Sequence, residues 1–556
     1  MIKSEIQKIV SKALRQVQDK PFEAEIFVPE NENFGHYSTN VALRLAKERK
    51  ANPMQMAQKI TDNLRLTTDN IFEKIEVAAP GFINFWIKPE VLQKELKEIL
   101  NKKEKYGRLT LMSGVRQTQG KKIQIEFISA NPTGPLTIGN GRGGFFGDAL
   151  ANVLKFNGYN VVKEYYINDA KNSTQIKELG KTGTGKGTTY LTKNLKSQIS
   201  NLKNKIKKLK SKNILNLEGE VGHLLAKEIH KDNQKFIEKI LKIKFDKWFF
   251  EQSLYDKSSV EKTLNEFKKK NLVYKKDGAL WFKSSKFGDL EDRVLIRSAG
   301  EPTYFLPDLA YHWDKFKIRK FNKVIDIWGA DHHGYIPRLK AGIKAFGIEP
   351  GKLTVIITQL ARLVKGGKEF KISKRKGTYV TMEDLIKEIG LDAARFFFLM
   401  SAPDTHMNFD LDLAKEKSMK NPVYYVQYAA VRAQSILRKS KINPPVGGQM
   451  LKVDFNLLNT KEDLDLIRIL ARFPEIVQET ALKYNPQALA RYSIELAKQF
   501  HNFYEKERVI GPSFADATAG REEKELAAAR LVLVQAAIII FKNIFSLLGI
   551  SMPKKM

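Results

Sequence analysis

The chain has 556 residues, no cysteine, and 95 lysines and arginines against 62 acids, a formal net charge of +33. The lack of thiols excludes disulfides and thiolate zinc sites, and so large a positive charge points to a polyanionic partner, with a uniformly cationic proteome as the bland alternative. The length exceeds one hydrophobic core and predicts about three domains.

The start, Met1-Ile2-Lys3-Ser4-Glu5, lacks the apolar core of a signal peptide. Helical periodicity over 2–17 is followed by a strand over 25–28, then Asn33-Phe34-Gly35-His36-Tyr37-Ser38-Thr39-Asn40 and a helix through Ala46. A helix near 54–64 and strands near 75–77 and 82–87 complete a small α+β unit, placed at residues 1–108. Residues 109–120, polar and glycine-containing, read as a linker.

The next stretch organises the chain. Ile123, Ile125 and Phe127 alternate as in a half-buried strand, with Glu126 on the opposite face. Asn131-Pro132-Thr133-Gly134-Pro135 turns the chain, and Gly139, Gly141, Gly143 and Gly144 open a helix that carries Phe145, Phe146, Ala149, Leu150, Val153 and Leu154 at helical spacing up to Asn157-Gly158. A strand over 161–167 follows. Such a strand–loop–helix–strand unit suits phosphate at a helix N-terminus, and it suits plain packing of helix on sheet equally well. A strand over 324–327, a helix over 336–346 and a strand over 353–357 predict a second half of the same fold, giving a Rossmann arrangement with ligands beyond the strand C-termini. Lys371-Ile372-Ser373-Lys374-Arg375-Lys376-Gly377 then reads, on its own, as a solvated basic loop.

Between these halves, residues 181–217 hold ten lysines and no acid. Leu195, Ile199, Leu202, Ile206 and Leu209 step by four and three, predicting one helix with a lysine-covered outer face. Gly180-Lys181-Thr182-Gly183-Thr184-Gly185-Lys186-Gly187 approaches a phosphate-binding loop, but glycine follows Lys186 and no strand precedes it, so that reading fails. Long apolar-periodic helices over 424–437, 463–484, 486–507 and 522–548 predict an all-α C-terminal unit. The apolar run 531–550 is broken by Gln535, Lys542 and Asn543, so a buried bundle helix is expected rather than a membrane span. The expectation is a soluble, cytoplasmic protein.

Several of these segments together resemble the class I aminoacyl-tRNA synthetases. Thr137-Ile138-Gly139-Asn140 stands where the family has its HIGH motif, and Lys371-Ile372-Ser373-Lys374-Arg375 where it has KMSKS. The stretch from Glu126 to Pro135, Trp328-Gly329-Ala330-Asp331-His332-His333-Gly334-Tyr335 and Asn421-Pro422-Val423-Tyr424-Tyr425-Val426-Gln427-Tyr428-Ala429 resemble arginyl-tRNA synthetases specifically, as do Trp248-Phe249-Phe250-Glu251-Gln252-Ser253-Leu254-Tyr255 and Asp277-Gly278-Ala279-Leu280-Trp281-Phe282 within the connecting insertion.

The resemblance implies a multidomain α/β protein. Its parts would be an N-terminal small α+β domain that contacts the outer corner of tRNA (1–108), a Rossmann-type parallel-sheet catalytic domain (121–415) with an insertion at about 178–300, and a C-terminal all-α helical bundle that binds the anticodon (420–556). His36 and Tyr37 in the first domain fit either a stacked base or local packing.

By the same resemblance, arginine is activated by ATP with Mg2+ and passed to tRNA, with no zinc, no membrane and a monomeric enzyme expected. Lys371 and Lys374 are the counter-charges for the departing pyrophosphate, on a loop between Gly366-Gly367 and Gly377. Thr137 and Asn140 occupy the positions usually held by histidine. Gly139, Gly329, Asp331, His332 and Ser373 belong to the ATP side. Glu126 and Asp308, the latter four residues after Tyr304, are the acids for the forked guanidinium, and Ser129 and Asn131 hold the α-amino group.

Two other functions compete. One is a tRNA-binding relative without aminoacylation, suggested by the altered first signature; the other is a synthetase for a different amino acid. Retention of Lys371 and Lys374 with Glu126 and Asp308 argues against both.

Overall fold

A computed structural model of the chain describes all residues except 16–21, 23, 68–70, 109–119, 213, 371–380, 441–452 and 510–519. The N-terminal helix Ile2–Arg15 buries Ile2, Ile6, Val10, Ala13 and Leu14, one stripe at helical spacing. It joins helices Val41–Arg49 and Pro53–Thr67 and an antiparallel sheet of β1 (Tyr37–Thr39), β2 (Phe72–Ala78) and β3 (Phe82–Ile87), in the order β1-β3-β2. The strand expected at 25–28 is reduced to a single bridge between Phe27 and Ser38. β1 is only three residues long and runs into the helix at Val41, and Pro29 has no N–H to extend a ladder. Tyr37 is buried with its hydroxyl donating to Glu475 at 2.9 Å, and His36 Nδ1 accepts from the Ile87 N–H, so both serve packing.

The catalytic unit is a five-stranded sheet built from β4 (Lys122–Glu126), β5 (Asn160–Ile167), β6 (Lys247–Phe250), β10 (Lys323–Gly329) and β11 (Leu353–Thr358), in the order β11-β10-β4-β5-β6 and parallel throughout. The remaining strands are β7 (Val273–Lys276), β8 (Ala279–Phe282) and β9 (Arg293–Ile296) in the insertion, and β12 (Ala361–Lys365), β13 (Lys368–Glu369) and β14 (Met407–Asp410) beyond the sheet. From β4 the chain builds outward on one side, through helix Ile138–Phe156, to β5 and β6. It returns to build β10 and β11 on the other side. The strand order therefore reverses between β4 and β10, and a crevice opens there beyond their C-terminal ends.

The insertion has a core of its own, centred on Ile176, Leu179, Leu195, Leu202, Ile206, Val221 and Leu225. The lysine-rich stretch forms two helices, Lys193–Asn201 and Lys203–Lys210, rather than the expected single one. Leu202 turns the chain between them and is itself buried against helix Leu217–Lys239. Gly180 lies within helix Thr174–Thr184, where a Cβ would stand 1.7 Å from the Glu218 carbonyl oxygen, and one at Gly222 would stand 1.8 Å from that of Ile176. These glycines serve a close helix crossing.

The C-terminal unit is helical, with Pro422–Lys439, Lys461–Ala471, Phe473–Lys483, Pro486–Lys506 and Arg521–Leu548. The helix expected over 463–484 is broken before Phe473, because Pro474 lacks an N–H and its ring clashes with the preceding turn. Helix Arg521–Leu548 is long and apolar enough to cross a membrane by length and composition, so Gln535, Lys542 and Asn543 do not by themselves exclude a span, but 72% of its apolar window is buried inside the protein, as expected of a bundle helix. It packs on helix Ile138–Phe156, where Arg395 bridges Asp148 (2.7 Å) and the Leu548 carbonyl (3.3 Å), and Lys163 holds the other oxygen of Asp148 at 2.6 Å.

Candidate active site

Three neighbouring strands carry a carboxylate at the same register. Asp326 on β10 lies opposite Glu126 on β4, which lies opposite Glu164 on β5, and all three are buried. In a parallel sheet, residues so aligned stand side by side on one face. Their partners come from helix Phe305–Trp313 and the π-helical turn Asp314–Ile318 that prolongs it. Lys315, fully buried, reaches Glu126 Oε2 at 2.7 Å and Asp326 Oδ1 at 2.9 Å. His312 Nε2 lies 2.9 Å from Asp326 Oδ2, and its Nδ1 lies 2.8 Å from the Asp308 carbonyl oxygen. Arg319 and Tyr311 hold Glu164. Burial works against the Asp326 carboxylate, but Lys315 and His312 outweigh it and hold the group down at about 2. Burial raises the Glu126 carboxyl, with Lys315 pulling against it, while the paired acids overcome burial and raise the Lys315 ammonium.

Beside this row stand two further acids. Asp308, in the first turn of helix Phe305–Trp313, accepts a hydrogen bond from the Tyr335 hydroxyl at 2.6 Å, and burial pushes its carboxyl up. Glu251, directly after β6, is buried, and burial followed by the charges of Asp308 and Asp169 pushes it up to about 8. Tyr166 marks where they meet: burial, then Glu251, Asp308 and Glu126, all raise its hydroxyl. Ser129 follows Ile128, and both have left-handed backbones (φ 37° and 67°), unusual for residues with side chains. Its hydroxyl donates to Glu126 Oε1 at 3.1 Å and accepts from the Tyr166 N–H at 3.0 Å. Asn131 is exposed and accepts from Asn168 at 3.2 Å.

The mouth of the crevice is the start of helix Ile138–Phe156. Thr137 and Asn140 form a reciprocal capping box there, while the first-turn N–H groups of Ile138 and Gly139 have no intrahelical acceptor. Thr381 bridges Thr137, the Met382 N–H donates to the Leu136 carbonyl at 2.8 Å, and a Cβ on Gly141 would meet Met382 Sδ at 2.2 Å. Lys371, Ser373 and Lys374 lie outside the described residues, but the chain re-enters at this mouth. Gly329 ends β10, followed by Asp331 and His332, with side chains 81% and 60% exposed and 3.6 Å apart.

Comparison with known proteins decides the family. Residues 2–87 match the arginyl tRNA synthetase N terminal domain, 95–401 the class I (R) tRNA synthetase catalytic domain, and 426–556 the DALR anticodon binding domain. The chain is 39% identical over its whole length to 99% of the arginine–tRNA ligase of Caldanaerobacter subterraneus, and 41% identical over 96% of itself to 94% of that of Carboxydothermus hydrogenoformans. The chain belongs to the arginyl-tRNA synthetases. Its fold is also that of the Thermus thermophilus arginyl-tRNA synthetase, with a TM-score of 0.77, 22% identity and full coverage of both chains.

For a synthetase of this family, the structure gathers Glu126, Ser129 and Asp308 on one side of the crevice and Thr137, Gly139 and Asn140 on another. Tyr304, at the start of the helix that carries Asp308, is half exposed. The buried row of Asp326, Glu164, Lys315 and His312 escaped the sequence reading, and so did two other residues with a place in this architecture. Glu251 lay within a recognised motif and carried a signal, an acid directly after a strand. Arg142 carried none: it is buried, donating to the carbonyls of Gln359 (2.7 Å), Ala402 (2.7 Å) and Thr405 (2.8 Å), which clamps the helix to the segments on either side of β12 and β14.

Proposed function

We infer that the crevice between β4 and β10 is where this synthetase activates arginine with ATP, before passing the arginyl group to tRNA. In the first step the arginine carboxylate attacks the α-phosphate, a phosphorus–oxygen bond forms, and pyrophosphate leaves with the electrons of the bond that breaks. In the second, a hydroxyl of the terminal tRNA ribose takes the arginyl group and AMP leaves. Such displacements need alignment and charge neutralisation more than a protein nucleophile.

The observation that carries the assignment of residues is that Glu126, tied through Ser129 to the Tyr166 N–H, and Asp308, held by the Tyr335 hydroxyl, stand beside the crevice as acids suited to a forked cation. In this reading Glu126 and Asp308 take the guanidinium, with Tyr304 beside them, and Ser129 and Asn131 lie toward the α-amino group. Gly139, Gly329, Asp331 and His332 lie toward the nucleotide. The Asn140 amide and the helix N-terminus face the phosphates. Lys371, Ser373 and Lys374 close on the pyrophosphate. Asp331, an exposed carboxylate at the mouth, would lie nearest any Mg2+ brought in with ATP, which would supply charge neutralisation on the phosphates. Residues 1–108 contact the outer corner of the tRNA and 420–556 its anticodon, in a cytoplasmic monomer.

Charging of total tRNA with each standard amino acid tests the substrate, and pyrophosphate exchange dependent on arginine and tRNA tests the step. Lys374→Ala is expected to slow activation by about a hundredfold, the scale of removing one transition-state donor. An unchanged rate refutes the role given to that lysine.

A further inference from the structure

One face of a single helical segment answers the whole row of strand carboxylates. Asp308, Tyr311, His312, Lys315 and Arg319 stand at i, i+3, i+4, i+7 and i+11, the repeat of one helix face. From that face His312 meets Asp326, Lys315 meets Glu126 and Asp326 together, and Tyr311 and Arg319 meet Glu164. Lys315 is the member of this set that bonds Glu126, one of the two acids assigned to arginine. Its Nζ also lies 4.2 Å from the centre of the Tyr311 ring, so its head is held from more than one side.

We propose that Lys315 is the positioning residue for arginine recognition: its ammonium fixes the Glu126 carboxylate in place and in its ionised form, and through Asp326 and His312 ties that acid to the helix bearing Asp308. The proposal rests on the reading of Glu126 as a guanidinium partner. Among the described residues Glu126 has two hydrogen-bond partners, Lys315 on Oε2 and Ser129 on Oε1, and the second is neutral. Without the ammonium, Glu126 and Asp326 face each other in register, buried, with Glu164 one strand away. Two like charges so placed do not both stay ionised, and the group without a second partner takes the proton. Asp326 keeps His312, so the proton goes to Glu126. A protonated Glu126 is a neutral group that no longer attracts a guanidinium. The charged and titratable groups facing Glu126 are Lys315 and Tyr311 from the helical segment, Asp326 from β10, and Glu164 and Tyr166 from β5.

The test compares wild type, Lys315→Met, Lys315→Arg and Glu126→Gln by KM for arginine and for ATP across pH, with arginine binding by calorimetry. Lys315→Met should raise the arginine KM by about tenfold or more near neutral pH. The increase should shrink as pH rises and Glu126 ionises, while the ATP KM stays put. Lys315→Arg should keep the wild-type pH profile of arginine binding, and Glu126→Gln should weaken arginine at every pH. An arginine KM unchanged in Lys315→Met overturns the proposal, and so does an increase that ignores pH and is shared by ATP, the mark of a merely structural role. If Glu126→Gln alone leaves the arginine KM unchanged, it is the reading of Glu126 that fails. Should Lys315→Met not fold, Lys315→Met/Asp326→Asn removes one charge of each sign. It is expected to show a smaller pH-dependent defect, because burial still raises the Glu126 carboxyl while the like charge of Asp326 is gone, and its failure to fold as well overturns positioning in favour of a structural role.

Discussion

Thr137 donates its hydroxyl hydrogen to Asn140 Oδ1 at 2.8 Å, and its N–H reaches the same oxygen at 2.9 Å. The two residues that stand at the usual histidine positions are thus each other's partners, locked as a helix cap. The Thr137 hydroxyl is spent on the cap, whereas no contact among the described residues occupies the Asn140 amide nitrogen.

That arrangement separates capping from nucleotide binding. Thr137→Ala should cost about 1 kcal/mol of stability by loss of the cap, read by denaturant unfolding. Asn140→Asp keeps the capping oxygen and loses the donor, so stability should hold while the ATP KM rises by about tenfold or more, the scale of one hydrogen bond to a charged group. Neither side chain titrates near neutrality, so activation should lack any pH dependence from these positions. Equal ATP KM for Asn140→Asp and wild type would remove Asn140 from the phosphate side.

Asp308→Asn should weaken arginine by about 1.5–3 kcal/mol, through loss of a charge-assisted pair. Because burial raises this carboxyl, wild-type affinity for arginine should fall as pH drops through the raised value, and the variant should lose that dependence. The same substitution removes a half-buried acid that has no cation at hydrogen-bond distance among the described residues, so thermal stability should hold or rise. Arginine titrations across pH, with melting curves, measure both.

Glu251, pushed up to about 8, reports through stability. An unfolded glutamate titrates at about 4.3. Between those values the folded protein holds a proton that the unfolded chain has released, so stability falls as pH rises across the window. Glu251→Gln should flatten that slope and add on the order of a few kcal/mol at its alkaline end. Saturating arginine should pull the wild-type titration to lower pH, because a cation favours the carboxylate. Denaturation midpoints as a function of pH, with and without arginine, check this.

The lysine-bearing helices of the insertion present Lys203, Lys205, Lys207 and Lys208 to solvent, with Leu202 and Ile206 turned into the core. Removing all of 181–217 would break the glycine-lined crossing of helices Thr174–Thr184 and Leu217–Lys239, so replacing those four lysines by glutamine is the cleaner change. tRNA affinity should drop, and the slope of log affinity against log salt should flatten by about 0.7–0.9 for each phosphate left without its lysine. Identical slopes would mark the face as merely solvated.

By itself the sequence determined the local elements and, through its ordered motifs, the family. The alternation around Ile123 and Ile125 and the glycine-opened helix after it are read from neighbours a few residues apart, where backbone geometry imposes its own period. The same holds for the helical repeats of the C-terminal bundle. Where a local rule met a competing one the reading slipped, as at Pro474 inside an apparently continuous helix and at Leu202 inside a lysine-rich one. Only the tertiary structure decided which buried charges meet. Lys315 and Glu126 are 189 residues apart in the chain, and Arg142 lies 217 residues before Gln359. Their meeting is set by the reversal of strand order between β4 and β10 and by the helix laid across the sheet. A buried charge must find its counter-charge wherever the packing brings one, and no periodicity in the sequence records where that happens.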